Sequence, residues 1–304
     1  MTLFFDSPPR LLVQGITGRE ARMAVGHMLA YGTEIQAGVT PGRAGQTVEG
    51  IAVFGTVSEA AAETGAFDAS IVYVPPFAVL DAAAESIAAG IPFLLVVAEN
   101  VPAHDALRLL ALARDRDVTV IGPNSVGLIE PARRLKLGAI GGDAPDRAFE
   151  PGHVAVLSRS GGLTVEVALQ LRLAGLGVST AVSIGGDAMI GTSPAGLYRR
   201  LLDDDETAAV VYVGEPGTSL EAELAETIAE TGMPKPLVAL ILGRFLEDFP
   251  RGAVFGNAGA VIGRRDEAPS EKLRRLKEAG ALVAESIEDT LRLLQSQLEV
   301  EAHP

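Results

Sequence analysis

The chain has 304 residues, of which 48% are hydrophobic, so it is long and apolar enough for two domains with separate cores. Its 39 acidic and 25 basic residues give a net charge of -14, which argues against binding to nucleic acid or to an anionic membrane. The absence of cysteine excludes disulfides, thiolate metal ligands and a cysteine nucleophile. We find no signal-peptide pattern and no apolar run of membrane-spanning length, so we expect a cytoplasmic protein.

Short apolar runs alternate with helical patterns through the first 124 residues. Helices are expected at 19–32 and 103–116, among others, because apolar residues recur there at helical spacing. Strands are expected at RLLVQG, EIQAGVT, IAVFG, ASIVYVPP, PFLLVVA and VTVIGPN. Strands separated by helices of this length predict a parallel sheet covered by helices on both faces.

The alternation stops at residues 130–152, which are rich in glycine, proline and charge. It then resumes with HVAVLS, VSTAVSIG, AAVVYVGE, PLVALILG and ALVAES as further strands. Two consecutive doubly wound domains account for this arrangement, and we predict their bounds as 1–128 and 151–304, with a linker at 129–150.

Four loops of the first domain follow strands and carry candidate ligand-binding residues. The turn Gly15–Ala21 joins a strand to a helix through two glycines, which would place backbone N–H groups beside a phosphate. Arg43 lies in a Gly/Pro loop after the second strand, while Tyr73 and Glu99 follow later strands. A tight turn without ligand and a solvated arginine are the alternatives for the first two loops. Because parallel strands end at one edge of a sheet, we expect all four loops to converge there.

The second domain begins with the strand-turn-helix segment Ser158–Thr164. Ser160, Gly161 and Gly162 would place a hydroxyl and free N–H groups at a helix N-terminus, which suits an anion; an ordinary serine N-cap is the alternative. Glu215 follows a buried strand and is a candidate for orienting a catalytic side chain, unless it is a surface-loop acid. The four histidines lack the spacing of metal ligands, so no metal site is expected in this chain.

The late segment FGNAGAVIG presents one polar side chain, Asn257, between glycines. Glycines let a backbone approach a partner closely, so this loop is suited to present the carboxamide at a site. A carboxamide can form hydrogen bonds there, but it is neither a nucleophile nor a base at neutral pH.

Taken together and in this order, the motifs resemble the α subunit of succinyl-CoA synthetase and its ADP- or GDP-forming acyl-CoA ligase relatives. The resemblance rests on GITG, GVTPGRAG, YVPP, GPNS, SRSGGLT, IGGD, VGE and GNAGA, and it spans nearly the whole chain. It implies an α/β fold with a Rossmann-like CoA-binding domain followed by a flavodoxin-like ligase domain.

The resemblance also implies roles for individual residues. Arg43 would supply the cation for a CoA phosphate at a position where the family usually has lysine. Ser160, Gly161 and Gly162 would begin a helix whose N-terminus holds the phosphate of a phosphohistidine. Glu215 would orient that histidine. The residues implied to contact CoA are Thr17, Gly18, Arg19, Glu20, Arg43, Tyr73, Val97, Ala98 and Glu99.

This sequence departs from the family pattern at its centre. The family has a phosphate-carrying histidine in G-H-A-G-A, and Asn257 stands at that position. Val165 occupies a position where the family often has tyrosine beside the substrate, and Arg264-Arg265-Asp266 replaces the usual glycine-rich stretch. The acid substrate therefore cannot be carried over from the family.

Three interpretations follow for Asn257. The chain is a ligase subunit that does not use phosphohistidine, or its natural residue is histidine and Asn257 is an engineered replacement, or it is a silent CoA-binding subunit that regulates or assembles a partner. The intact anion and CoA loops favour the first two. The resemblance further implies an ATP-grasp β-type partner that binds ATP or GTP with Mg²⁺, an αβ or α2β2 assembly, and a small carboxylic acid substrate.

Overall fold

The computed structural model describes residues 3–250, 252–253 and 259–301. Asn257 therefore lies outside the described residues. The described part of the chain forms two seven-stranded sheets, one in each half, and both are flanked by helices. This arrangement confirms the predicted α/β fold class with two mostly parallel sheets.

The first sheet has the strand order β3-β4-β2-β1-β5-β6-β7. All neighbouring strands are parallel except β3 and β4, which form a hairpin. The strands are β1 (Leu11–Gln14), β2 (Ala37–Val39), β3 (Thr47–Val48), β4 (Ile51–Phe54), β5 (Ala69–Val72), β6 (Phe93–Val96) and β7 (Thr119–Ile121). The helices are α1 (Arg19–Tyr31), α2 (Val57–Thr64), α3 (Val79–Ala88) and α4 (Ala103–Asp115).

The direction of winding reverses between β1 and β5. The chain passes from β1 outward to β2 and β4, then returns to place β5 on the other side of β1. The loops after two such strands diverge to opposite faces of the sheet and leave a crevice, which is where ligands bind in open α/β sheets. The turns that start at Gly15 and Tyr73 border this crevice.

The second sheet has the order β14-β13-β12-β10-β11-β8-β9. Its strands are β8 (Gly127–Glu130), β9 (Leu135–Gly138), β10 (Pro151–Ser158), β11 (Val178–Ser183), β12 (Ala209–Gly214), β13 (Leu237–Ile241) and β14 (Leu282–Ala284). The helices are α5 (Gly161–Leu173), α6 (Pro194–Leu202), α7 (Leu220–Thr231), α8 (Pro269–Glu278) and α9 (Ile287–Glu301). Here the winding reverses between β10 and β12, so the turns after these strands border a second crevice.

The segment 129–150, which the sequence interpretation assigned to a linker, contributes strands to the second sheet. β8 and β9 form an antiparallel hairpin, and β8 pairs with β11 through Ile129 and Ala181. Ile129 and Leu137 are fully buried. Charged residues between these apolar positions hide the strand pattern in the sequence, and only the pairing with β11 shows it.

Helix α8 is a second element that the sequence interpretation did not predict. Its buried positions are Pro269, Lys272 and Leu276. A lysine in the buried stripe lowers the apolar content of the helix, so few of its residues are hydrophobic. No helix among the described residues combines the length and apolarity needed to cross a bilayer.

Candidate functional site

The turn after β1 brings the backbone of the first domain unusually close to the turn after β5. Gly15 has φ 75°, and a Cβ at this position would lie 2.2 Å from the carbonyl oxygen of Tyr73. Only glycine satisfies both the left-handed backbone and this approach. Gly18 is the N-cap of α1 and provides no side-chain cap, so the first-turn N–H groups are left for another acceptor.

Two adjoining cavities occupy this edge of the first sheet and share a wall formed by Gly18 and 73–75. One has a volume of about 590 Å³ and the other about 670 Å³. The first is lined by the turn after β1, by Val39–Pro41 and by α3 residues such as Asp81 and Glu85. The second is lined by Gly18, Arg19, Glu20, Ala21, Tyr73, Val74, Pro75, Pro76, Val97, Ala98, Glu99, Asn100 and Asn124.

The structure brings together eight of the nine residues that the resemblance implies for CoA. Thr17 lines the first cavity, and the others line the second or both. Arg43 is exposed and lines neither, although its loop begins at Thr40 and Pro41 on the cavity wall. An arginine near the cavity can reach a ligand phosphate that extends into solvent, but it does not line either cavity.

Tyr73 presents a buried hydroxyl at the wall between the two cavities. This hydroxyl has no hydrogen-bond partner among the described residues. Burial raises the pKa of the phenol well above its ordinary value, and the nearby Glu20 carboxylate adds to the shift. Tyr73 therefore stays protonated near neutral pH and can donate a hydrogen bond to a polar ligand group.

Gln14 also lines the first cavity and was missed in the sequence interpretation. Its Nε2 donates to the carbonyl oxygen of Ala82 at 2.8 Å, and its Oε1 accepts from the hydroxyls of Ser70 and Ser86 at 3.0 and 2.9 Å. These bonds join β1 to β5 and α3 beneath the cavity. A buried glutamine at the end of an apolar strand is the sequence signal for such a contact.

In the second domain, the turn after β10 starts α5 at the second crevice. The Ser160 hydroxyl accepts from the backbone N–H of Leu163 at 3.5 Å, so it acts as the N-cap of α5. A Cβ on Gly161 would lie 2.7 Å from Val126, whereas one on Gly162 would meet nothing within 4 Å. Gly161 is thus required for packing, and the open side of the helix end lies at Gly162.

Arg159 is the largest fully buried side chain in the described structure and was not singled out from the sequence. Its Nη2 donates to the carbonyl oxygens of Gly186 and Asp187 at 3.3 and 3.0 Å. A Cβ on Gly259 would lie 2.7 Å from the same nitrogen. The guanidinium therefore lies beneath the loop that leads from Asn257, between the turns that follow β10 and β11.

Glu215 follows β12 across the same crevice and is 8% exposed. The turn it begins packs against the loop that follows Asn257, because a Cβ on Gly217 would lie 2.0 Å from the carbonyl oxygen of Gly259. The structure therefore places the predicted orienting acid on a turn in contact with Gly259. It does not describe Asn257 itself.

A buried ionic network holds the Glu215 turn in place. Lys272 on α8 donates to the carbonyl oxygens of Glu215 and Gly217 at 2.7 and 2.5 Å, and its Nζ lies 2.7 Å from Oε2 of Glu221 on α7. The hydroxyl of Tyr212 donates to the other Glu221 oxygen at 2.7 Å. Burial lowers the pKa of the Lys272 ammonium, and the Glu221 carboxylate opposes that shift.

Backbone hydrogen bonds connect the second cavity of the first domain to Gly259. Asn124, which lines that cavity, donates to the carbonyl oxygen of Ala98 at 2.8 Å and accepts from Gly186 at 3.0 Å. The carbonyl oxygen of Gly186 in turn accepts from the N–H of Gly259 at 3.2 Å. The second cavity and the loop after Asn257 are therefore separated by a single turn of backbone.

Comparison with known proteins agrees with this division of the chain. Residues 6–100 match the family described as CoA binding domain, and residues 151–296 match the succinyl-CoA ligase like flavodoxin domain. The first domain has two cavities at its switch point, and buried charged residues surround the switch point of the second domain. Together with the family matches, these features define a two-domain CoA-binding protein of the ligase type.

Two relatives cover almost the entire chain. "Succinate--CoA ligase [ADP-forming] subunit alpha 1" of Archaeoglobus fulgidus is 40% identical over 299 residues, which cover 98% of this chain and 99% of the relative. The corresponding subunit alpha of Staphylococcus epidermidis is 41% identical over 287 residues, covering 94% and 91%. The chain belongs to the succinate–CoA ligase α-subunit family, which confirms the family resemblance inferred from the motifs.

Solved structures with lower identity share the fold. ATP citrate lyase from Methanothrix soehngenii, solved in complex with citrate and coenzyme A, superposes with a TM-score of 0.89 at 24% identity over 98% of this chain. A dinucleotide-forming acetyl-coenzyme A synthetase from Ca. Korarchaeum cryptofilum gives a TM-score of 0.73 at 20% identity. This chain spans 51% and 60% of those two chains, and the likeness extends to the fold alone.

Proposed function

We propose that this protein is the α-type subunit of a nucleotide-dependent acid–CoA ligase. The observation that carries the proposal is the continuity between two features: a CoA-sized cavity system at the first switch point, and the loop after Asn257 one turn of backbone away. A thiol at the inner end of the cavity would arrive beside a group held at that loop. The names of the relatives support the same activity.

In this proposal CoA lies in the cavities with its phosphates at the N-terminus of α1. The first-turn N–H groups and the positive helix end would bind a phosphate, the Tyr73 hydroxyl would donate to an internal polar group, and Arg43 would contact a phosphate at the mouth. An ATP-grasp β-type partner would bind ATP or GTP with Mg²⁺ and would assemble with this chain as αβ or α2β2 in the cytoplasm. A small carboxylic acid would be the substrate.

CoA binding is tested by calorimetry on the purified protein and on its Arg43→Ala variant. The variant should bind CoA about 5- to 30-fold more weakly, because a charge-assisted phosphate contact contributes roughly 1–2 kcal/mol when it is partly exposed. Arg108→Ala, which removes an exposed arginine from α4, is the matched control and should bind like the parent. The absence of CoA binding, with or without the partner, would contradict the proposal.

Ligase activity is tested on the complex with a co-purified β-type partner, with ATP or GTP, CoA and a series of mono- and dicarboxylic acids. Val165 is half-buried and packs with the second-domain core, so it offers the acid no polar group. We therefore infer that the acid is selected by residues other than Val165. Nucleotide-dependent thioester formation with one of the acids is the expected result, and inactivity with all of them would favour a silent subunit.

Asn257 cannot carry phosphate in the proposed reaction. A phosphoryl acceptor needs an available lone pair, and the carboxamide nitrogen has its pair delocalised. An acyl phosphate formed on the partner would then pass directly to CoA. The protein should take up no acid-labile phosphate from labelled ATP, whereas Asn257→His should do so in the complex if Glu215 and the α5 N-terminus form a phosphohistidine site. Phosphate on the Asn257 protein would refute the direct-transfer route.

A further inference from the structure

Asp187 occupies the turn between the second cavity and the loop after Asn257. It is 7% exposed, and its Oδ1 accepts from the backbone N–H of Asn100 at 3.5 Å. Asn100 lines the cavity wall. The preceding residue, Gly186, donates to the carbonyl oxygen of Asn124, which lines the same wall. One side of the Asp187 turn thus contacts two residues of the cavity wall.

The other side of this turn contacts the loop. Gly259 donates to the carbonyl oxygen of Gly186 at 3.2 Å, and a Cβ on Gly259 would lie 3.2 Å from the backbone nitrogen of Ala188. Asp187 therefore lies between the place where we expect the CoA thiol and the place where we expect the activated acyl group. The turn that begins at Glu215 contacts the same loop through Gly217.

Arg159 fixes the backbone of this turn without neutralising the acid. Its Nη2 donates to the carbonyl oxygens of Gly186 and Asp187, and the Asp187 carboxylate forms no ion pair with any residue of the described chain. The acids that line the second cavity differ, since Glu20 and Glu99 are exposed to solvent. Asp187, which adjoins the cavity wall through Asn100, is instead a buried carboxylate held in position at the junction of both sites.

We propose that Asp187 is the general base that accepts the thiol proton of CoA in the acyl-transfer step, an inference that rests on the proposed ligase function. The S–H proton moves to a carboxylate oxygen of Asp187 as the sulfur attacks the carbonyl carbon of the acyl phosphate. The bond between that carbon and the bridging phosphate oxygen breaks, and phosphate leaves with the electron pair. Asp187 then releases the proton to the departing phosphate or to water.

The test compares Asp187→Asn with the parent in the complete complex with the β-type partner. Hydroxylamine in place of CoA traps the acyl phosphate as a hydroxamate, so it measures activation of the acid without thiol chemistry. Calorimetry measures CoA binding to the same complex. Asp146→Asn, which removes an exposed acid paired with Arg134, is the matched control and should change none of the three measurements.

We expect Asp187→Asn to form hydroxamate at the parental rate and to bind CoA with nearly unchanged affinity, because the carboxamide keeps the shape and the Asn100 contact. Thioester formation should fall about 100-fold or more in kcat, the usual contribution of a general base. Asp187→Glu, which restores a base, should recover part of the loss.

Two results would overturn the assignment: thioester formation close to the parental rate, or a loss of CoA affinity that accounts for the whole fall in rate. A complex that forms no hydroxamate with any acid, even with the parent chain, would overturn the ligase proposal itself and the role of Asp187 with it. If Asp187→Asn fails to fold by circular dichroism, the Asp187→Glu comparison decides, because a base displaced by one methylene should slow thioester formation and leave hydroxamate formation intact.

Discussion

Lys272→Met removes the cation that holds the Glu215 turn and tests the energetics of the buried network directly. Lys272 and Glu221 are both 1% exposed, and their charged atoms lie 2.7 Å apart. The change leaves the Glu221 carboxylate buried without a counter-charge and frees two carbonyl oxygens, those of Glu215 and Gly217. Removing one partner of a buried pair costs about 3–5 kcal/mol, and methionine retains most of the side-chain volume, so a cavity adds little.

The double variant separates charge pairing from general disruption. Glu221→Gln keeps the Tyr212 contact possible but leaves the Lys272 ammonium without its counter-charge, so it should also be strongly destabilising. Lys272→Met combined with Glu221→Gln removes both charges, and we expect it to be about 2–3 kcal/mol less destabilising than the sum of the single changes.

Urea unfolding followed by tyrosine near-ultraviolet circular dichroism provides the measurement, because the chain has four tyrosines and no tryptophan, and Tyr212 belongs to the network. Lys277→Met, an exposed position on the same helix, is the control and should change stability by less than about 0.5 kcal/mol. Additive single changes, or a cost for Lys272→Met no greater than that of the control, would refute the argument.

Three further outcomes follow from particular residues. Gly15→Ala should weaken CoA binding more than 10-fold, because a left-handed backbone costs roughly 1–2 kcal/mol and the new Cβ would lie 2.2 Å from the Tyr73 carbonyl oxygen. The control is Gly26→Ala inside α1, where a Cβ would meet nothing within 4 Å, and this variant should bind CoA like the parent. Equal affinities of the two variants by calorimetry would contradict this. Tyr73→Phe should leave the urea midpoint unchanged or raise it, since the change removes a buried hydroxyl that has no partner among the described residues. CoA affinity should fall about 3- to 10-fold. A clear loss of stability would show that the hydroxyl is already paired. Burial lowers the pKa of Lys136 to about 8, below its unfolded value of roughly 10.4. Between these pH values the unfolded chain binds more protons, so the free energy of unfolding should rise with pH. Lys136→Met should flatten that part of the pH profile, and an unchanged slope would refute the assignment.

The sequence alone determined the features that depend on local chemistry. Apolar runs separated by helical periods predicted two largely parallel sheets, and helices α1 and α4 end within one residue of the expected bounds 19–32 and 103–116. Gly15 marked a turn position that only glycine tolerates. The carboxyl ends of parallel strands share one edge of a sheet. The sequence therefore also predicted that three loops converge there, namely those at Thr17–Glu20, Tyr73 and Val97–Glu99.

Only the tertiary structure decided which of those loops face each other. Strand order is set by packing between distant segments, so the switch points at β1/β5 and β10/β12, and the place of the β8–β9 hairpin in the second sheet, have no local signature. The same holds for the absence of Arg43 from the lining of the two cavities, and for the burial of Arg159 beneath Gly259. Lys272 and Glu221 are 51 positions apart, and each resembles an ordinary surface charge in its own helix. They become a buried ion pair only because the packing of α7 against α8 removes both from water.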